Sequence, residues 1–136
     1  MAAAVSGRTN QVDAASQERW GDDNPAVEQV TFYFLPDQCR LTLTGGGEEH
    51  EITSGYGQWA PGTTTFFGPE SDPVVVSGAW TAPATFTMAV RYIETPHCLT
   101  IDAHFGEDSL RLNMRWNVTF GPTELPVLEC NRISPR

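Results

Sequence analysis

Lysine is missing from this chain. All eight bases in the 136 residues are arginine, set against 17 acids, for a formal net charge of −9. Without lysine there is no P-loop lysine, no Schiff-base lysine and no Ser-x-x-Lys pair of the kind penicillin-recognising enzymes use. A Gly-x-Ser-x-Gly elbow is missing too, and no serine has a base at a recognisable spacing. The acidic balance repels phosphate, which argues against nucleic acid and against an anionic membrane as partners. Cysteine is scarce. Cys39, Cys98 and Cys130 are odd in number and far apart, with no Cys-x-x-Cys, so neither a zinc knuckle nor a redox pair is expected. Free thiols in a reducing compartment fit that usage. No apolar run approaches the roughly 18 residues of a membrane span. The opening Met1-Ala2-Ala3-Ala4-Val5-Ser6-Gly7-Arg8 has neither the basic nor the long apolar region of a signal peptide. The expectation is a cytoplasmic protein with no cofactor and no metal.

What is present points to one β-rich domain. Apolar residues make up 40% and charged residues 18%, enough for a real core in a single domain of this length. Residues 1–24 are polar and aperiodic, and read as a flexible N-terminal arm or linker with a short helical turn over Asp13–Arg19. From Val27 the pattern turns to period two. Segments 28–35, 39–44, 49–54, 73–81, 84–93, 98–105 and 109–118 read as strands bounded by Gly, Pro and Asp. A further short strand is expected within 56–67, and a closing one at 126–131. Gly45-Gly46-Gly47 joins two strands with no helix after it, so it is a hairpin turn and not a phosphate cradle.

Faces must agree across each hairpin, which fixes registers. Pairing Phe105 with Leu110 sets Ile101 beside Met114 and Leu99 beside Trp116. The other face then holds His104 beside Arg111, Asp102 beside Asn113 and Thr100 beside Arg115. Pairing Tyr92 with Leu99 aligns Val90 with Ile101, Met88 with Ala103 and Phe86 with Phe105. One strand earlier, Trp80 falls near Phe86, Gly78 near Met88 and Val76 near Val90. Four such strands make a meander. Residues 25–136 are therefore expected to form a single all-β domain, an antiparallel up-and-down, lipocalin-like barrel of about eight strands. A two-layer β-sandwich has the same periodicity and is the alternative. Phe86, Met88, Val90, Ile101, Leu110, Leu112 and Met114 should be core, and Trp59, Trp80 and Trp116 most simply join them.

One end of that barrel has chemistry. Glu94 shares parity with Tyr92, His97 shares parity with Leu99, and Trp116 lies opposite Leu99. Tyr92, Glu94, His97 and Trp116 thus converge on a mouth, a common setting for a small hydrophobic or amphipathic ligand. Glu94 beside His97 could also move a proton. Against both stands the turn composition Glu-Thr-Pro-His, in which a glutamate often only accepts backbone N–H bonds. Asp102 and His104 opposite Arg111 and Arg115 read as cross-strand charge pairing. Asn117-Val118-Thr119 fits a glycosylation sequon, a short pattern that also arises by chance.

Trp80-Thr81-Ala82, Tyr92-Ile93-Glu94-Thr95-Pro96-His97, Phe105-Gly106-Glu107-Asp108-Ser109-Leu110 and Pro126-Val127-Leu128 together carry a family resemblance. Asn24-Pro25 leading into Val27–Phe32, and Trp59 with Gly62, fit it as well. Over about residues 20–131 the chain resembles the β-rich C-terminal region of bacterial serine hydrolases related to class C β-lactamases. The catalytic domain of those enzymes is absent, so the resemblance transfers no catalytic residue. It implies an accessory domain, free-standing or beside a serine hydrolase domain or partner chain. The leading expectation is a non-catalytic accessory or small-molecule-binding barrel. The alternative is a small barrel enzyme of isomerase or cyclase type, using Glu94 and His97 on a hydrophobic substrate. A third is an interaction domain acting through its outer sheet.

Overall fold

The computed structural model describes residues 5–21, 24–67, 71–95, 97–117 and 124–133. Its elements in chain order are β1 (Thr9–Val12), α1 (Ala14–Trp20), β2 (Gln29–Phe34), β3 (Cys39–Gly45), β4 (Glu48–Tyr56), β5 (Ala60–Thr64), β6 (Asp72–Ala82), β7 (Thr85–Tyr92), β8 (Cys98–Phe105), β9 (Ser109–Trp116) and β10 (Leu128–Arg132). The strands form one sheet of ten, ordered β4-β3-β2-β1-β10-β9-β8-β7-β6-β5, and β4 returns to pair with β6. The sheet is thereby a closed barrel and not a sandwich. Nine of the ten strands answer to expected segments, β10 being the closing strand expected at 126–131, and β1 is the addition that takes the wall beyond about eight. One contact departs from the antiparallel rule: β4 meets β6 in parallel at Gly55–Ser77 and Tyr56–Gly78.

The alternating pattern did set the walls. β8 and β9 pair Phe105 with Leu110, Ile101 with Met114 and Leu99 with Trp116, the expected register. β6 and β7 pair Val76 with Val90, Gly78 with Met88 and Trp80 with Phe86, again as expected. Between β7 and β8 the register differs by two residues, with Phe86 opposite Ala103, Met88 opposite Ile101 and Val90 opposite Leu99. A shift of two leaves every side chain on its face, so alternation is blind to it. The turn decides it instead: Tyr92 N–H donates to the His97 carbonyl at 3.1 Å and Thr95 N–H to the Tyr92 carbonyl at 3.1 Å. At the β3–β4 hairpin, Gly46 and Gly47 have φ of 59° and 80°, and Gly45 pairs with Glu48. Two consecutive positive φ values make the tight hairpin turn that only glycine adopts without strain.

The reading of residues 1–24 as an arm is corrected. Thr9–Val12 pairs with both β10 and β2, and Val5, Val12 and Trp20 are buried. Asp13 caps α1 by accepting the Ser16 N–H at 2.7 Å. The Ser16 hydroxyl in turn accepts the Glu129 N–H at 2.9 Å, tying α1 to β10. Trp20 Nε1–H donates to the Pro25 carbonyl at 2.7 Å, which lets an indole be buried without an orphan donor. Residues 1–4 and 22–23 of the expected arm lie outside the described residues, as do Pro96, Val118 and Thr119.

The core is one cluster, and all seven expected core residues are in it. Leu41, Phe86, Met88, Val90, Ile101 and Leu112 have zero solvent exposure. None of them touches space large enough for a water molecule, so side chains fill the barrel between them. Phe34 helps to close one end, edge-on to Phe86 at 5.1 Å and tilted against Trp80 at 5.2 Å. Trp59 is not core: it is half exposed, with the Arg91 guanidinium 5.4 Å from its ring centre. No described helix is long and apolar enough to cross a membrane.

Candidate functional site

β7 rises to the turn at Ile93–Thr95, β8 descends from it, and β9 returns to end at Trp116, so three strands deliver Tyr92, Glu94, His97 and Trp116 to one end of the barrel. The structure brings all four together. They line an open pocket of about 280 Å³ with Phe67, Asp72, Pro73 and Thr95. The volume is at the small end of the usual range for small-molecule sites.

Aromatic rings make its wall. Trp116 meets Phe67 edge-on at 5.2 Å, Tyr92 tilted at 5.7 Å and His97 edge-on at 5.9 Å. Phe67 reaches Trp116 from a backbone with φ of 66°, a conformation a bulky residue adopts only under strain. Its ring contacts Phe66 at 4.4 Å and Trp20 of α1 at 6.2 Å, so the helix backs the same wall. Tyr92 is nearly buried, and its hydroxyl donates to the Phe66 carbonyl at 2.8 Å. Burial, and next the Asp72 charge, push its phenol well above the usual value, so it stays neutral.

The turn does not depend on Glu94. Thr95 holds it, through its N–H and hydroxyl on the Tyr92 carbonyl and through its hydroxyl oxygen, which accepts the His97 N–H at 3.1 Å. Glu94 makes none of these bonds and stands exposed at the rim. Among the described residues no ion pair or hydrogen bond joins Glu94 to His97, so the pocket holds no pre-aligned acid–base dyad. On the outer face Asp102 accepts from Thr87 Oγ1 and from Arg115 Nη1, each at 2.7 Å. No set of three or more His, Cys, Asp or Glu side chains among the described residues could hold a metal ion.

Phe67, Asp72, Pro73 and Thr95 join the pocket beyond the four residues expected from the sequence. For Asp72 a signal existed. The β6–β7 ladder sets Val74 opposite Tyr92, and carrying it two residues further brings Asp72 towards Glu94. Phe67 had none, because its position follows from the β5–β6 connection and not from any strand face.

A closed barrel with a short helix backing an aromatic pocket defines the class of fold. No protein-family model matches the chain, and no curated protein matches it. Solved structures do. Fatty-acid-binding protein 1 of Echinococcus granulosus superposes with a TM-score of 0.67 at 12% identity, over 97% of this chain and 99% of that one. A secretory abundant heat soluble protein of Ramazzottius varieornatus gives 0.65 at 9% identity, over 96% of each chain. The Schistosoma mansoni fatty-acid-binding protein in complex with arachidonic acid gives 0.59 at 12% identity, over 78% of this chain and 70% of that one. At such identities the likeness shows the fold. Nothing in these comparisons links the chain to a serine hydrolase C-terminal domain.

Proposed function

We propose that this chain is a non-catalytic barrel that binds a small apolar or amphipathic molecule at its mouth. The observation that carries the reading is the pocket walled by Phe67, Tyr92 and Trp116 above an interior that is already full. The similar folds are named for fatty-acid binding, one of them in complex with arachidonic acid, which supports a binding role for this architecture. With the core side chains of this chain in contact, a long acyl chain finds no lumen to enter. What fits is a short chain or a single ring resting on Trp116.

Calorimetric titration with 1-octanol, repeated on Trp116→Leu, tests the proposal. Saturable binding with a dissociation constant on the order of 0.1–1 mM is expected. Trp116→Leu should weaken it about tenfold, the loss of one good apolar contact surface. Absence of saturable binding to the parent, or equal affinity in Trp116→Leu, would contradict the reading.

A further inference from the structure

The charge around the mouth says more than its shape. Two carboxylates, Asp72 and Glu94, line the pocket, and His97 is the one base among its lining residues. Every described arginine is engaged elsewhere. Arg8 donates to the carbonyls of Glu107 and Gly106. Arg19 and Arg111 pair with Glu129, Arg40 with Glu51, Arg115 with Asp102 and Arg132 with Asp108. Arg91 lies over Trp59. Of the eight arginines only Arg136 is outside the described residues.

A carboxylate head group would therefore meet acids and no guanidinium. An organic cation meets the reverse. Aromatic faces attract cations through their negative quadrupole, and the attraction grows where water is partly excluded. Trp116 with Tyr92 and Phe67 offers such faces at crossing angles, with the charge of Asp72 close enough to act on the Tyr92 phenol. A net charge of −9 adds a long-range field of the same sign.

We infer that the ligand class is an organic cation, an alkyl- or arylammonium whose head sits among Trp116, Tyr92, Phe67, Asp72 and Glu94. The inference rests on the mouth being the binding site, and it sets the selectivity opposite to that of a fatty-acid carrier. The rings supply a surface any apolar tail can use, and the carboxylates supply the choice of charge.

Three probes with one tail separate the two claims: octyltrimethylammonium, 1-octanol and octanoate, each titrated below its aggregation concentration at low salt. The cation should bind at least tenfold more tightly than the alcohol, and octanoate most weakly. In a Glu94→Gln, Asp72→Asn double variant the ratio of cation to alcohol affinity should fall to about one, with the melting temperature retained. Added salt should erode the parent's preference. Octanoate binding as tightly as the cation, or a cation preference that survives in the folded double variant, would overturn the inference while alcohol binding leaves the mouth site standing. Failure of all three probes would overturn both.

Discussion

At Gly78 a methyl group would lie 2.7 Å from Phe86 Cζ and 2.8 Å from Ser54 Oγ. The missing side chain on β6 is what admits the Phe86 ring to the core. Gly78→Ala must displace that ring or the strand, and overpacking of this kind costs about 1–3 kcal/mol. A lowered urea midpoint with an unchanged slope would report it. The cysteines make a second test at this scale. Burial pushes the Cys39 thiol up to about 12, and burial, with the charges of Asp13 and Glu129, does the same for Cys130. A thiol so far from its thiolate is inert. Cys98 is only partly buried. A chromogenic thiol reagent should modify one cysteine per folded chain, and three after denaturation. The four mouth residues named from strand parity were legible because parity depends on sequence spacing alone. Phe67 was not, since it lies on no strand face and its ring is placed by contacts with Phe66, Trp116 and Trp20 that no local pattern encodes.

α1 and β1 show where strand and helix patterns run out. The helical turn expected over Asp13–Arg19 is present as α1, whereas the four-residue β1 is too short for period two to emerge. The buried positions there are few, and one of them is Ser16. The docking of α1 was not read from the sequence, although Ser16 and Trp20 lie one turn apart and are both buried. Because Trp20 is 4% exposed and packs on Phe67, Trp20→Ala should cost on the order of 3 kcal/mol and also weaken the mouth pocket it backs. A melting temperature within a degree of the parent would return this segment to the status of a tail. The cap adds a pH signature. Hydrogen bonds from the Ser16 N–H, then its hydroxyl, hold the Asp13 carboxyl below its usual value, and Arg19 adds a smaller pull. A value depressed by folding gives stability that is fully present above about pH 4 and is lost as the pH falls through the folded value. Asp13→Ala should therefore melt lower than the parent at pH 7, with the gap closing towards pH 3. The two-residue offset between β7 and β8 belongs to this scale as well. Apolar alternation chose the face, and the hydrogen bonds of the Tyr92–His97 turn chose the register.

At the scale of the whole molecule, the all-β strand order was legible, closure was the leading expectation over a sandwich, and filling was not legible. Alternating strands in sequence order favour a barrel, which hides their edges, but a sandwich shares that periodicity; the parallel β4–β6 contact is what closes the sheet. Whether such a barrel is hollow depends on how far the inward side chains reach towards one another, which strand patterns do not contain. Here they meet, and the proposed ligand lies at the mouth of a filled barrel. Side-chain NMR of the labelled protein, titrated with octyltrimethylammonium, tests that claim most directly. Saturable shifts are expected at the Trp116 indole, the Tyr92 and Phe67 rings and Thr95, with the methyls of Met88, Ile101 and Leu112 unmoved. Shifts running through those core methyls, showing a chain inside the barrel, or a Trp116 signal that never moves, would contradict it.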